Sequence, residues 1–363
     1  MIVTIIAGAR PNFMKIAPII HAIKRAQQSG ASLQYKLVHT GQHYDKKLSE
    51  TFFHELNIPE PDANLEVGSG SQAVQTANIM IRFEEYLQAN PCDLVMVVGD
   101  VNSTMACSIV AKKMNTDVAH VEAGIRSYDM EMPEEINRLV TDAISDHFFT
   151  TSHVANENLA KAGIESKRIH FVGNTMIDTL MSNMERTKRP AFWDDFSLRV
   201  KDYLVLTLHR PSNVDDPHGL KMLMQEILDS SDCPLVFPVH PRTMKNLEAA
   251  GIKSARLLLV PPMGYLEFIF MLKNSKGVIT DSGGIQEETT VMGIPCITLR
   301  NNTERPETVT IGTNEVIGTT LSAVGPAMKK LLAGEWKKGS IPELWDGKTS
   351  DRIVAKLREL YLA

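Results

Sequence analysis

The chain has 363 residues, 43% of them hydrophobic, and a net charge of −5. That is ample for two or three packed domains, and no basic field is present to draw nucleic acid or an anionic membrane surface. No apolar run reaches the roughly 18 residues of a membrane span. The opening "MIVTIIAGARP" lacks a signal peptide's basic start. Cys92, Cys107, Cys233 and Cys296 are scattered, with no C-x-x-C spacing. They read as reduced, buried thiols of a cytoplasmic protein.

In chain order, strands are predicted at 2–8, 35–41, 93–100, 117–124, 147–152 and 169–174. A second series follows at 203–209, 235–240, 257–262, 277–284, 295–300 and 315–319. Their apolar runs are continuous rather than alternating, which suits strands covered on both faces. Amphipathic stretches such as "MKIAPIIHAIKRAQQ" and "EEINRLVTDAISD" lie between them. The βαβα rhythm predicts a parallel, doubly wound sheet, formed twice. The polar stretch 183–202 interrupts the rhythm. The fold expected is α/β, with two Rossmann-like domains facing a central cleft. They are expected at 1–174 and 175–349, with a last helix at about 350–363 packing back on the first.

Open α/β sheets bind ligands beyond the carboxyl ends of their strands, so chemistry is sought there. The first strand runs into "GARPNFMK", which is not a dinucleotide fingerprint. Arg10 and Lys15 bracket its turn, either as a phosphate grip or as a solvated helix start. Asp100 and Glu122 each end a buried strand and read as acid–base candidates. "MPEEINR" adds Glu134, Glu135 and Arg138. Acidic residues after Pro133 are also what a helix start attracts.

The second half repeats one device: a histidine ending a strand with an arginine beside it, His209–Arg210 and His240–Arg242. Two such histidines in one sheet favour a diphosphate contact over a metal, because no metal-ligand spacing accompanies them. In "TDSGGIQEE", Ser282, Gly283 and Gly284 are placed to offer backbone N–H groups and a hydroxyl to a phosphate. Glu288, further into the helix, is placed to accept sugar hydroxyls. Phosphate beside ribose means a nucleotide. Phe268 in "YLEFIFML" is either a base-stacking ring or core. Arg305 in "NNTERPETV" either closes over a ligand or pairs with a neighbouring glutamate.

The motifs "GARPNFMK", "GQH", "VVGD", "HVEAGIRS", "MPEEINR", "GNT", "LHRP", "DSGGIQEE" and "TERPET" occur in this order along almost the whole chain. Together they resemble the non-hydrolysing UDP-N-acetylglucosamine 2-epimerases. The resemblance implies a two-domain GT-B fold, a cytoplasmic homodimer, a UDP-sugar substrate, and neither metal nor cofactor. It implies that Arg10, Lys15 and His209 hold the diphosphate with Ser282, Gly283 and Gly284. Glu288 would take the ribose, and Phe268 with the backbone near Met263 the uracil. Asp100, Glu122 and Glu134 would be the catalytic carboxylates, with His209 joining the catalytic set. Arg305 would assist the sugar side, and Arg138 and His240 would line the same cleft.

That chemistry is elimination of UDP to 2-acetamidoglucal, then readdition after reprotonation of C2 from the other face. A hydrolysing branch, epimerases of other UDP-2-acetamido sugars, a GT-B glycosyltransferase and a non-catalytic nucleotide-sugar sensor are the alternatives. In one place the chain departs from the pattern. Many family members bind a second, activating UDP-N-acetylglucosamine, partly through the site at Gln42 and His43. Here Asp45 stands where a second glutamine is usual, and 65–73 contains no arginine. Weak or absent activation is expected.

Overall fold

The structure is a computed structural model that describes residues 1–41, 55–239 and 241–362. It forms two units, Met1–Ser182 with Glu343–Ala363, and Asn183–Pro342. Each is a parallel sheet flanked by helices, as continuous apolar strands demand.

The first unit has seven strands: β1 (Ile2–Ala7), β2 (Gln34–His39), β3 (Ala63–Asn64), β4 (Leu94–Val98), β5 (Asp117–Val121), β6 (His147–Thr150) and β7 (Ile169–Phe171). They lie in the order β3-β2-β1-β4-β5-β6-β7. Every residue of β4 is buried, and Phe83, Val97 and Cys107 share the core on one face. A fully buried ring such as Phe83 contributes about 2–3 kcal/mol. The second unit has β8 (Leu204–Thr207), β9 (Leu235–Pro238), β10 (Leu257–Val260), β11 (Gly277–Thr280), β12 (Cys296–Thr298) and β13 (Asn314–Val316). Their order is β10-β9-β8-β11-β12-β13. Its core gathers Leu206, Phe237, Ile279, Met328 and Trp336. The Trp336 indole also donates to the Thr313 carbonyl at 2.6 Å.

The units divide later along the chain than 174/175 and earlier than 349/350. Helix Thr175–Asn183 is held to the first unit by Thr179, whose hydroxyl donates to the Met14 carbonyl at 2.5 Å. In the same helix, Asp178 caps the last helix, Thr349–Tyr361. It accepts from the N–H groups of Thr349 and Ser350 at 3.0 and 2.7 Å and from the Ser350 hydroxyl at 2.6 Å. The segment before that helix is seated by Trp345, wholly buried, donating to the Thr151 carbonyl at 2.9 Å. Gly173 faces this segment with φ +100°. A Cβ there would lie 2.1 Å from the Leu344 carbonyl oxygen, so only glycine fits.

Both sheets reverse their winding once, between β1 and β4 and between β8 and β11. Ligands of open α/β sheets bind at such points. Among the described residues no helix is long and apolar enough to cross a membrane.

Candidate active site

In the first unit the switch point is closed by Asn12, in the helix Arg10–Gln28. Its carboxamide oxygen accepts from the N–H groups of Gly8 and Ala9 at 3.1 and 2.9 Å. Its amide nitrogen donates to the Val98 carbonyl at 3.0 Å. One side chain thus ties the end of β1 to the end of β4. One turn on, Lys15 sends its ammonium to Glu122 Oε2 at 2.6 Å, with side chains only 11% and 2% exposed. Glu122 follows β5 with φ +68°, a left-handed conformation that costs a non-glycine residue about 1–2 kcal/mol. Gly99, after β4, also has positive φ. A Cβ there would lie 3.0 Å from Lys15 Nζ and 4.0 Å from Glu122 Oε2. The glycine therefore lets this ion pair lie against the backbone just before Asp100.

Asp100 is fixed from the helix Pro133–Ile144. Arg138 donates to its Oδ2 through Nε at 3.1 Å and Nη2 at 2.5 Å. Asn137 donates to its backbone carbonyl at 2.8 Å. Glu134 is exposed and lines, with Asp100, Ala9, Gln72, Gln75 and Asn137, a cavity of about 150 Å³. Its neighbour Glu135 is buried and structural. It accepts from the Ser127 and Tyr128 N–H groups and from Arg138. Asp100, Glu122 and Glu134, from three separate elements, thus surround one turn.

In the second unit the helix Gly283–Met292 starts at Ser282 with no side-chain cap. Its first-turn N–H groups are the kind that bind anions. The Ser282 N–H is not one of them, because it donates to Thr280 Oγ1 at 3.0 Å. The expected phosphate contact therefore reduces to Gly283, Gly284 and the Ser282 hydroxyl. His209 lies after β8 with its ring 63% exposed, and its Nδ1 is 2.6 Å from Asp281 Oδ1. Met263 and Phe268 are half-buried. Phe270 instead packs edge-on against Trp193 at 5.2 Å.

Glu288 is 3% exposed. Burial pushes its carboxyl up to about 8, against a 3.1 Å hydrogen bond from the Tyr265 hydroxyl. A sugar hydroxyl arriving there would meet a group that has already lost its water. Arg305 is buried and ion-paired with Glu287. Of its two predicted uses the structure shows pairing with a glutamate.

Arg10 opens its helix, and its side chain lies outside the described residues, as do His240, Gln42, His43 and Asp45. Among the described residues no group of His, Cys, Asp or Glu side chains could hold a metal.

Two clusters escaped the sequence reading. Buried His120 turns Nε2 to the Gly99 carbonyl at 2.8 Å and Nδ1 to Asp142 at 2.7 Å. Asp142 also meets Arg126 at 2.6 Å and accepts from the Gly124 N–H at 3.0 Å. Burial would raise the Asp142 carboxyl, but His120 and Arg126 hold it below its ordinary range. The other is Asp281, wholly buried beneath His209. Only its place between a strand end and two glycines could have flagged it.

Two parallel Rossmann-type sheets, each with polar residues at its switch point, define an α/β protein of the GT-B type. The UDP-N-acetylglucosamine 2-epimerase family model matches residues 25–358. The UDP-N-acetylglucosamine 2-epimerase of Methanocaldococcus jannaschii is 39% identical over 98% of each chain. Its crystal structure in complex with UDP-GlcNAc and UDP superposes with a TM-score of 0.88, covering 99% of this chain and 100% of that one. A UDP-2,3-diacetamido-2,3-dideoxy-D-glucuronate 2-epimerase of Pseudomonas aeruginosa is 37% identical over 99% of each chain. The chain belongs to the UDP-N-acetylglucosamine 2-epimerase family.

Proposed function

We propose that the protein is a non-hydrolysing 2-epimerase that interconverts UDP-N-acetylglucosamine and UDP-N-acetylmannosamine, acting as a cytoplasmic homodimer. The observation that carries this is the gathering of Asp100, Glu122 and Glu134 around the Gly99–Asp100 turn. C2–H of the sugar has no adjacent carbonyl, so a base cannot remove its proton directly. Loss of UDP gives C1 oxocarbenium character and makes C2–H acidic. One carboxylate then takes the proton and leaves 2-acetamidoglucal. Inversion requires a proton delivered to the opposite face, which a single carboxyl group cannot easily do.

The carboxylates differ in tether, which suits different faces. Asp100 is clamped by Arg138, Glu122 by Lys15, and Glu134 is exposed. In this reading the second unit binds UDP. The start of helix Gly283–Met292 takes a phosphate, Glu288 the ribose, and Phe268 with the chain near Met263 the uracil. His209, with Arg10 and Lys15, stabilises the departing diphosphate. Arg305 assists the sugar side through Glu287, and Arg138 and His240 line the same site. The chemistry itself calls for no redox cofactor and no metal.

The test is incubation with UDP-N-acetylglucosamine, and separately with a UDP-2,3-diacetamido-glucuronate, with products read by NMR. UDP-N-acetylmannosamine is expected from the first. Free N-acetylmannosamine would assign the hydrolysing branch. Turnover of the second sugar alone would move the substrate to that of the Pseudomonas relative.

A further inference from the structure

We propose that Asp281 is a positioning residue that locks His209 in one tautomer and turns its Nε2 toward the diphosphate. The proposal rests on the epimerase reading only for its kinetic arm.

The fold brings the two residues together. β8 and β11 are neighbours in register, Thr207 beside Thr280, and their hydroxyls meet at 2.6 Å. One residue past β11 stands Asp281, and two past β8 stands His209. Asp281 is wholly buried and surrounded by donors. It accepts from the backbone N–H of His209 at 3.1 Å, that of Arg210 at 3.0 Å, and the Asn213 amide at 3.0 Å. Burial would raise this carboxyl, but His209, Asn213 and the Arg210 N–H hold it below its ordinary range. Three of these contacts would suffice to shape the loop after β8. The fourth, His209 Nδ1 at 2.6 Å from Oδ1, fixes a ring rather than a loop.

A carboxylate only accepts hydrogen bonds, so Nδ1 must carry the proton. The rest of the ring is exposed, so Nε2 is the atom offered to a ligand. With Nδ1–H held by Asp281, a second proton taken up at Nε2 makes the ring an imidazolium, and that proton lies between the buried Asp281 charge and an incoming diphosphate. When the C1–O bond breaks, its electron pair leaves with the UDP oxygen and the Nε2 proton of the imidazolium can follow, leaving the neutral Nδ1–H ring on Asp281. On readdition the proton returns. A third group orienting a working histidine recurs on unrelated folds, and replacing its carboxylate by an amide produces the wrong tautomer.

The test uses the full chain labelled with 15N-histidine, with His209→Asn to identify the His209 signals. The unmutated protein should show His209 protonated at Nδ1. A His209 present as the Nε2–H tautomer would overturn the proposal, whether or not any variant folds. In Asp281→Asn one acceptor oxygen remains for the backbone donors, but its NH2 group faces Nδ1. The ring should then switch to the Nε2–H form. The kcat should fall about 10²-fold or more, with KM changed little and UDP still raising Tm. An Asp281→Asn protein that keeps the original tautomer, or keeps full kcat, would overturn it. If the unmutated protein does not epimerise any UDP-sugar, the epimerase reading fails, while the tautomer measurement still decides the role of Asp281.

Discussion

Replacing Lys15 with methionine isolates the buried ion pair at the first switch point. The side chain keeps its length, but Glu122, 2% exposed, loses the ammonium 2.6 Å from its carboxylate. Removing one partner of a buried pair costs about 3–5 kcal/mol, because the remaining charge loses its nearest counter-charge in a desolvated site. In a unit of this size each kcal/mol shifts Tm by roughly 2–4 °C, so Tm should fall on the order of 6–20 °C. Glu122→Gln removes the charge from the other side and should also destabilise. The double variant Lys15→Met with Glu122→Gln removes both charges of the pair and should recover most of the loss. Thermal unfolding followed by circular dichroism, with UDP absent, reads all three. A Lys15→Met protein as stable as the unmutated one, or a double variant no better than the worse single, would refute a tight buried pair. It would also remove the reason given for a strained Glu122 beside Gly99.

Other outcomes follow from the same geometry. Asp100→Asn and Glu122→Gln should lose turnover by about 10²-fold or more, while UDP still raises their Tm by mass action; loss of both together would make these residues structural. Glu288, pushed up to about 8 by burial, binds its proton more tightly folded than unfolded. Folding stability should therefore decline as pH rises from about 4.5 through 8, by on the order of a few kcal/mol. Glu288→Gln should flatten that decline, and a pH–Tm profile identical in both proteins would contradict the burial argument. With Asp45 in place of an amide, UDP-N-acetylmannosamine should turn over steadily while any UDP-N-acetylglucosamine formed is removed by a coupled enzyme. An absolute requirement for added UDP-N-acetylglucosamine would show that other residues rebuild an activating site.

The strands were legible because burial on both faces writes a plain signal, a continuous apolar run. Each strand predicted from an apolar run ends earlier at its carboxyl end than the run suggested. "GVITDSGG" stops being strand at Thr280, because the residues beyond it already belong to the turn and the helix start. β3, only Ala63–Asn64, is too short for periodicity to register. The strand-end position of Asp100 and Glu122 was legible, since a charge that ends a buried strand must meet a counter-charge, a ligand or water at the sheet's carboxyl edge, and here Arg138 and Lys15 supply the counter-charges. Long-range partners were not. His120 sits inside β5 and its partner Asp142 on a helix 22 residues away, and local spacing says nothing about that pairing. Arg305 could be narrowed only to two uses, and the glutamate it meets, Glu287, lies on a different helix.

The central claim is that C2 is inverted through loss of its proton and delivery of a solvent-derived proton to the opposite face. Epimerisation of UDP-N-acetylglucosamine in D2O, followed by proton NMR and mass spectrometry of the product, tests it directly. The account predicts UDP-N-acetylmannosamine carrying deuterium at C2. Product that retains the original C2 proton would contradict elimination and readdition, and with it the acid–base roles given to Asp100, Glu122 and Glu134.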